Sequence, residues 1–262
     1  MPLHVREFVP TRPDGPPVVL LHPGPGLDGS VFLPYVNQLV DAGYRALLVD
    51  LPGGDYTLKF QAAAVEELMR ELDEPTLLGH SYGGYVTMQH LVDFPGSAAR
   101  VVASCTEADE EDPPDAPEDR FAGLSEDVAA GIRDAFERES SVTTQEECRQ
   151  VWIDQMPFFA VDPEKVVPML DDVVFDIEAH AGHDFGELHA LEALAAADIP
   201  VLAIAGSEDR PTPAASARRI AETAPHGELV VIEGVGHFPF AEAPDRYWPA
   251  LISWLERTGS GA

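Results

Sequence analysis

Lysine is nearly missing from this chain: Lys59 and Lys165 are the two among 262 residues. With arginine they make 16 basic side chains against 46 acidic ones, a formal net charge of −30. Such a surface repels nucleic-acid phosphates and anionic headgroups, which argues against nucleic-acid and membrane-surface binding. The same imbalance fits a protein kept hydrated in a salty interior, and equally a lysine-poor, GC-rich genome. Cysteine is also scarce. Cys105 and Cys148 make neither a disulfide framework nor a zinc cluster, so free thiols in a reducing compartment are expected. No apolar run approaches the roughly 20 residues of a membrane span, and "VVLL" before His22 is too short for the core of a secretory leader. A cytoplasmic protein is the expectation, and no motif specifies an oligomeric state.

What the chain does contain is a hydrophobic fraction of 45%, ample for a sizeable core. Short apolar runs at 16–22, 44–50, 75–81, 99–105, 199–209 and 227–237 have the continuous character of parallel strands buried on both faces. Helix-like segments at 31–42, 57–72, 84–94, 213–224 and 244–257 alternate with them. This order predicts an α/β fold, a mostly parallel sheet flanked by helices, with reactive groups at the carboxyl ends of the strands. The alternation stops at an acidic, proline-rich stretch, "TEADEEDPPDAPEDR", followed by helical patterns near 125–139, 143–156 and 163–179. Residues 1–105 and 198–262 therefore read as the core, and 106–197 as an inserted helical cap.

Within "TLLGHSYGGYV", Gly79, Gly83 and Gly84 surround Ser81 directly after an apolar strand and before a helix. A nucleophile on a sharp strand–turn–helix bend needs small neighbours two positions away, which Gly79 and Gly83 supply. A serine hydroxyl is a poor nucleophile unless a base takes its proton, and the base needs an orienting acid. Of nine histidines, His237 ends the last apolar run in a glycine-shaped loop and is the expected base. His80 should point away from the serine, His90 belongs to the following helix, and His4 and His226 read as surface residues. "IPVLAIAGSEDRPTP" offers Glu208 and Asp209 at a strand end, with Asp209 at the favoured spacing after glycine. Glu107 is an alternative acid, and Asp50 reads as a brace for the turn "LPGG". The developing oxyanion needs N–H donors. Tyr82 supplies one. In "HPGPG", Pro23 and Pro25 have no N–H, which leaves Gly24 as the donor at the centre of the loop.

Ser81, Asp209 and His237 in this order, together with "GHSYGG", resemble the α/β-hydrolase superfamily from about residue 16 to 257. "HPGPG" is similar to the His-Gly-Gly-Pro-Gly loop of proline iminopeptidases, with Pro23 in place of a glycine, and the elbow resembles that of their tricorn-interacting relatives. The segment "DLPGGDYTLKF" is shorter than usual for the superfamily. The resemblance implies a serine hydrolase that acts without cofactor or metal on a small molecule or short peptide, with proline-iminopeptidase-like cleavage as the leading expectation. Carboxylesterase or lactonase activity is the alternative, and a non-catalytic small-molecule receptor on the same fold is the rival of another class. The cap should choose the substrate. Trp152, Phe158 and Phe159 are candidates for an apolar wall, as is Phe175, and Glu178 is a candidate partner for a substrate amine, among further cap acids Asp154, Asp171, Asp172 and Asp176. His180, His183 and His189 have a spacing that suits no common zinc site.

Overall fold

The computed structural model describes residues 3–12, 15–181 and 186–259. Seven strands form one sheet: β1 (His4–Phe8), β2 (Val18–Leu21), β3 (Ala46–Asp50), β4 (Thr76–His80), β5 (Arg100–Ser104), β6 (Pro200–Gly206) and β7 (His226–Ile232). Their order is β1-β3-β2-β4-β5-β6-β7, all parallel except β1, which pairs antiparallel with β3. This is the α/β-hydrolase fold.

Alternation along each strand divides the core. Val18, Leu20, Leu48, Leu78, Val102 and Ile204 belong to one apolar layer, and Val19, Leu21, Leu47, Leu77, Val101 and Ala203 to the other. The first layer is covered by α1 (Asn37–Asp41) and α9 (Pro244–Gly259), which bring Leu39, Trp248 and Trp254. The second is covered by α2 (Leu58–Met69), α3 (Tyr82–Asp93), α7 (Leu191–Ala196) and α8 (Ala214–Thr223). Burial on both faces explains the uninterrupted apolar runs of the central strands.

The sequence reading omitted β1. "HVREF" has two apolar residues among three polar ones, lies at an edge and stays partly exposed, so it lacks the apolar run that marks its neighbours. The expected helix at 31–42 splits into a 3-10 turn, Gly29–Phe32, and the short α1, with Pro34 between them. Between β5 and β6 the chain passes through α4 (Glu126–Glu139), α5 (Gln145–Phe159) and α6 (Pro163–Val166). The expected helical pattern at 163–179 breaks after α6 and a 3-10 turn, Val167–Leu170, that contains Pro168. A capping box of Thr144 and Glu147 starts α5. Ser125 accepts from the Val128 amide to start α4. No helix among the described residues is long and apolar enough to cross a membrane. Both cysteines are buried and free.

Candidate active site

Ser81 occupies the turn between β4 and α3 with φ 54 and ψ −119, a left-handed conformation that is strained for a residue with a side chain. Surrounding contacts hold it there. Its amide donates to Ser104 O at 3.0 Å, and its carbonyl accepts from Gly84 N at 2.8 Å and from Thr106 Oγ1 at 3.0 Å. The bend also brings α3 against β2. A Cβ on Gly83 would lie 2.4 Å from Leu21 O, and one on Gly79 would lie 2.2 Å from Gly83 O. Backbone atoms on both sides leave no room for a methyl group, which is why glycine stands two positions before and after the serine.

From this turn Ser81 Oγ donates to His237 Nε2 at 2.8 Å. His237 Nδ1 donates in turn to both carboxylate oxygens of Asp209, each at 3.0 Å. Asp209 follows β6 and His237 follows β7, so adjacent parallel strands deliver the acid and the base. Asp209 and His237 are buried, at 5% and 1% exposure. The sequence reading missed Thr212, whose amide and hydroxyl donate to Asp209 Oδ1 and Oδ2, both at 3.0 Å. It missed Glu242 as well. This buried carboxylate accepts from Gly236 N at 2.8 Å and from Asp162 N at 2.7 Å, bridging the His237 loop to the chain just beyond α5. The His237 amide itself donates to Phe159 O at 2.6 Å.

Other candidate groups lie elsewhere. Glu208 is exposed, and Glu107 accepts from Ser216 Oγ at 3.1 Å, outside the Ser81–His237–Asp209 chain. Asp50 accepts from Gly29 N at 2.9 Å and pairs with Arg6 and His4 at the β1 edge. His90 meets Glu66, and exposed His226 meets Asp198. His189 faces Asp109 and Glu187, while His183 lies outside the described residues. Cys105 Sγ lies within 4.8 Å of ligand atoms of both Asp209 and His237. Burial pushes its thiol pKa well up, so the sulfur is neutral.

The loop after β2 faces the serine. Gly24 has φ +143, a conformation that favours glycine. His22 anchors this loop from below: its Nδ1 donates to Pro23 O at 2.7 Å, and its Nε2 accepts from Leu51 N at 3.0 Å. Tyr82 is the first residue of α3, so its amide stands at the positive end of that helix. A cavity of about 110 Å³ lies between them, lined by Pro23, Gly24, Pro25, Ser81, His237 and Phe238 from the core. Phe136 and Glu139 of α4 and Trp152, Gln155 and Phe159 of α5 complete it. Trp152 and Phe159, two of the aromatics expected of an apolar wall, thus line the cavity beside Ser81. Phe158 instead packs on Phe121 and Phe136, and exposed Glu178 lies outside the cavity lining. Asp154 and Asp171 pair with Arg138 and Arg149, and Asp176 accepts from Tyr56 OH. Phe136, Glu139 and Gln155 were not anticipated; a helical period places them on one face but does not say which face meets the serine.

Three buried histidines make stability depend on pH. Desolvation lowers the pKa of His22 and His90, and lowers that of His80 well below the ordinary 6.5. A histidine with a depressed folded pKa contributes stability that is fully present above its unfolded value and is lost as pH falls below it, because the unfolded chain binds the proton first. Exposed His189 shifts the other way and offsets part of this. The lowered carboxylates Asp50 and Glu66 act at and below their ordinary values of 3.8 and 4.5. The melting temperature should therefore fall steadily as pH drops from about 7.5 to about 5.5. A flat profile across that window would contradict neutral burial of these rings.

A family model described as "Alpha/beta hydrolase family" matches residues 18–250. The pimeloyl-[acyl-carrier protein] methyl ester esterase of Xanthomonas campestris pv. campestris is 30% identical over 247 residues, covering 90% of this chain and 94% of that one. Among solved structures, a thermophilic esterase from Thermogutta terrifontis superposes with a TM-score of 0.72 at 23% identity, over 98% of this chain and 94% of that one. A proline iminopeptidase from Mycobacterium smegmatis gives 0.71 at 19% identity, over 98% and 95%. At those identities the two structures speak for the fold.

Proposed function

Because the chain belongs to the alpha/beta-hydrolase family, we propose that this enzyme is a carboxylesterase that cleaves small esters through an acyl-enzyme on Ser81. The observation that carries the reading is the continuous chain from Ser81 Oγ through His237 to Asp209, with Ser81 and His237 in the wall of the cavity. His237 Nε2 takes the hydroxyl proton as Ser81 attacks the ester carbonyl, and Asp209 stabilises the resulting imidazolium. The amides of Gly24 and Tyr82 receive the oxyanion, each such donor being worth about 2.7–4 kcal/mol of barrier. His237 then passes its proton to the departing alkoxide, and water releases the acyl group by the same steps in reverse roles. The segment 106–197 acts as the cap, with α4 and α5 as the part that faces the substrate.

Ester rather than amide cleavage is favoured by the curated relative at 30% identity, which is named for an ester substrate. Removal of an N-terminal residue is the second reading, since Glu139 brings a carboxylate to the cavity wall where an ammonium would pair. The two differ in what they require of a free amine. We expect an active-site fluorophosphonate to label the protein at Ser81, and acyl p-nitrophenyl esters to turn over at least about a hundredfold faster than prolyl naphthylamide. Cleavage of the free prolyl amide, with its N-acetyl form and the esters inert, would replace the esterase by the aminopeptidase.

A further inference from the structure

Ser81 has a strained counterpart on the neighbouring strand. β4 and β5 pair in parallel with His80 opposite Ser104, so Ser81 and Cys105 are the next residue of each. Both turn left-handed there, with φ 54 at Ser81 and φ 46 at Cys105. At Ser81 the conformation presents the nucleophile. At Cys105 a glycine would adopt it freely, yet a side chain stands there. Such strain persists where the surroundings hold it, and it gathers at functional sites.

The surroundings of Cys105 are the supports of the reacting groups. On one side, Ser104 O accepts from the Ser81 amide and Thr106 Oγ1 donates to the Ser81 carbonyl, so the residues before and after Cys105 grip the backbone of the nucleophile. On the other side, the Cys105 amide donates at 2.8 Å to Ile204 O of β6, the strand that leads to Asp209. The side chain itself is fully buried, with Sγ within 4.8 Å of ligand atoms of Asp209 and His237. Burial and the Asp209 charge keep the thiol neutral, and it hydrogen-bonds the Asp209 carboxylate. A carboxylate offers about four lone-pair sites. Two bonds from Thr212 and one His237 N–H, shared between the oxygens, leave a place for a weak S–H donor.

Resting on the esterase reading above, we infer that Cys105 is a positioning residue: its thiol joins Thr212 in holding the Asp209 carboxylate against His237, and the left-handed turn at Cys105 aims it there. Without the thiol, Thr212 alone fixes Asp209, which then meets His237 less squarely. The negative charge on Asp209 is also less dispersed, so His237 keeps a proton to higher pH, where Ser81 finds no free base.

Three substitutions separate these effects. Cys105→Ala removes the donor, Cys105→Gly removes it and relaxes the backbone, and Cys105→Ser supplies a hydroxyl donor of similar size. Ester kcat/KM on the pH-independent plateau should fall about fivefold in the alanine and glycine variants, the worth of one modest hydrogen bond. The acid limb of their profiles should move up by about half a pH unit. Cys105→Ser should keep at least about half of the wild-type rate, with the wild-type acid limb. Cys105→Gly should melt no lower than Cys105→Ala, since φ 46 suits glycine, so its slower turnover is not a loss of fold. The other ionisable groups nearby are the same in every variant: His80 against the His237 ring, Tyr247 beside Cys105, and Glu107 and Tyr85 within reach of the Asp209 charge. A Cys105→Ser protein as slow as Cys105→Ala, or a Cys105→Ala protein whose acid limb has not moved, would overturn the assignment. If neither esters nor a fluorophosphonate react with the wild type, the esterase reading fails, and the proton NMR signal of the hydrogen between His237 Nδ1 and Asp209 decides on Cys105. A downfield move in Cys105→Ala that is absent in Cys105→Ser supports the positioning role; one unchanged signal in all three proteins overturns it.

Discussion

Ser81→Ala should lower kcat for ester hydrolysis about 10⁶-fold, and His237→Ala should cost nearly as much. The double variant should be no worse than either single one. The reason is that the two side chains perform one step: without His237 Nε2, 2.8 Å away, the hydroxyl keeps its proton, and without the hydroxyl the imidazole has nothing to activate for acyl transfer. What survives should be the contribution of the oxyanion donors and of substrate positioning, roughly 10³–10⁴ over water in enzymes of this kind. The measurement is kcat for the three variants under saturating ester. If Ser81→Ala retains more than about a hundredth of wild-type kcat, no acyl-enzyme on Ser81 carries the reaction.

Asp209→Asn should lower kcat about 10⁴-fold with little change in overall stability. Both Asp209 oxygens already accept: one from the Thr212 amide, the other from the Thr212 hydroxyl, and both from His237 Nδ1. An asparagine has a single oxygen to place among these donors. With its oxygen held by Thr212 N, its NH₂ faces His237 Nδ1 and turns that nitrogen into an acceptor. The proton then sits on Nε2, where Ser81 needs a lone pair. Thr212→Val, which keeps the backbone donor and removes the hydroxyl, should have a far smaller effect on kcat. Similar losses in the two variants would mean that packing around Asp209, rather than the histidine tautomer, controls the rate.

The central machinery was legible because each part stands at a strand end with its own local mark. Gly79 and Gly83 are required by close backbone approach, Asp209 and His237 follow long apolar runs, and two prolines single out Gly24. β1 was not legible, because a partly exposed edge strand has no continuous apolar run. The cavity wall was only half legible. Trp152 and Phe159 stood out as aromatics on a helix, but Phe158 is their neighbour in sequence and points to Phe121 and Phe136, which only the crossing of α4 and α5 decides. Glu139 and Gln155 were hidden for the opposite reason. In a chain with 46 acidic residues, one glutamate near a helix end carries no signal until another helix is laid beside it. Glu242 accepts from Asp162 N, 80 residues away, and no local pattern reports that; Thr212 bonds Asp209 from only 3 residues further on, a short-range contact whose value shows only once His237 is placed beside it.

The attachment between Phe159 and His237 bears on how the cavity admits a molecule. The His237 amide is held by Phe159 O, a Cβ on Gly236 would come within 2.2 Å of that same oxygen, and Glu242 clamps Gly236 to Asp162. In mechanical terms the end of α5 is a fixed jaw bolted to the catalytic base. Lifting it would drag the imidazole away from Ser81. A substitution at Phe159 or Gly236 would therefore be felt in the geometry of the reacting groups as well as in the shape of the cavity, because one set of hydrogen bonds fixes both.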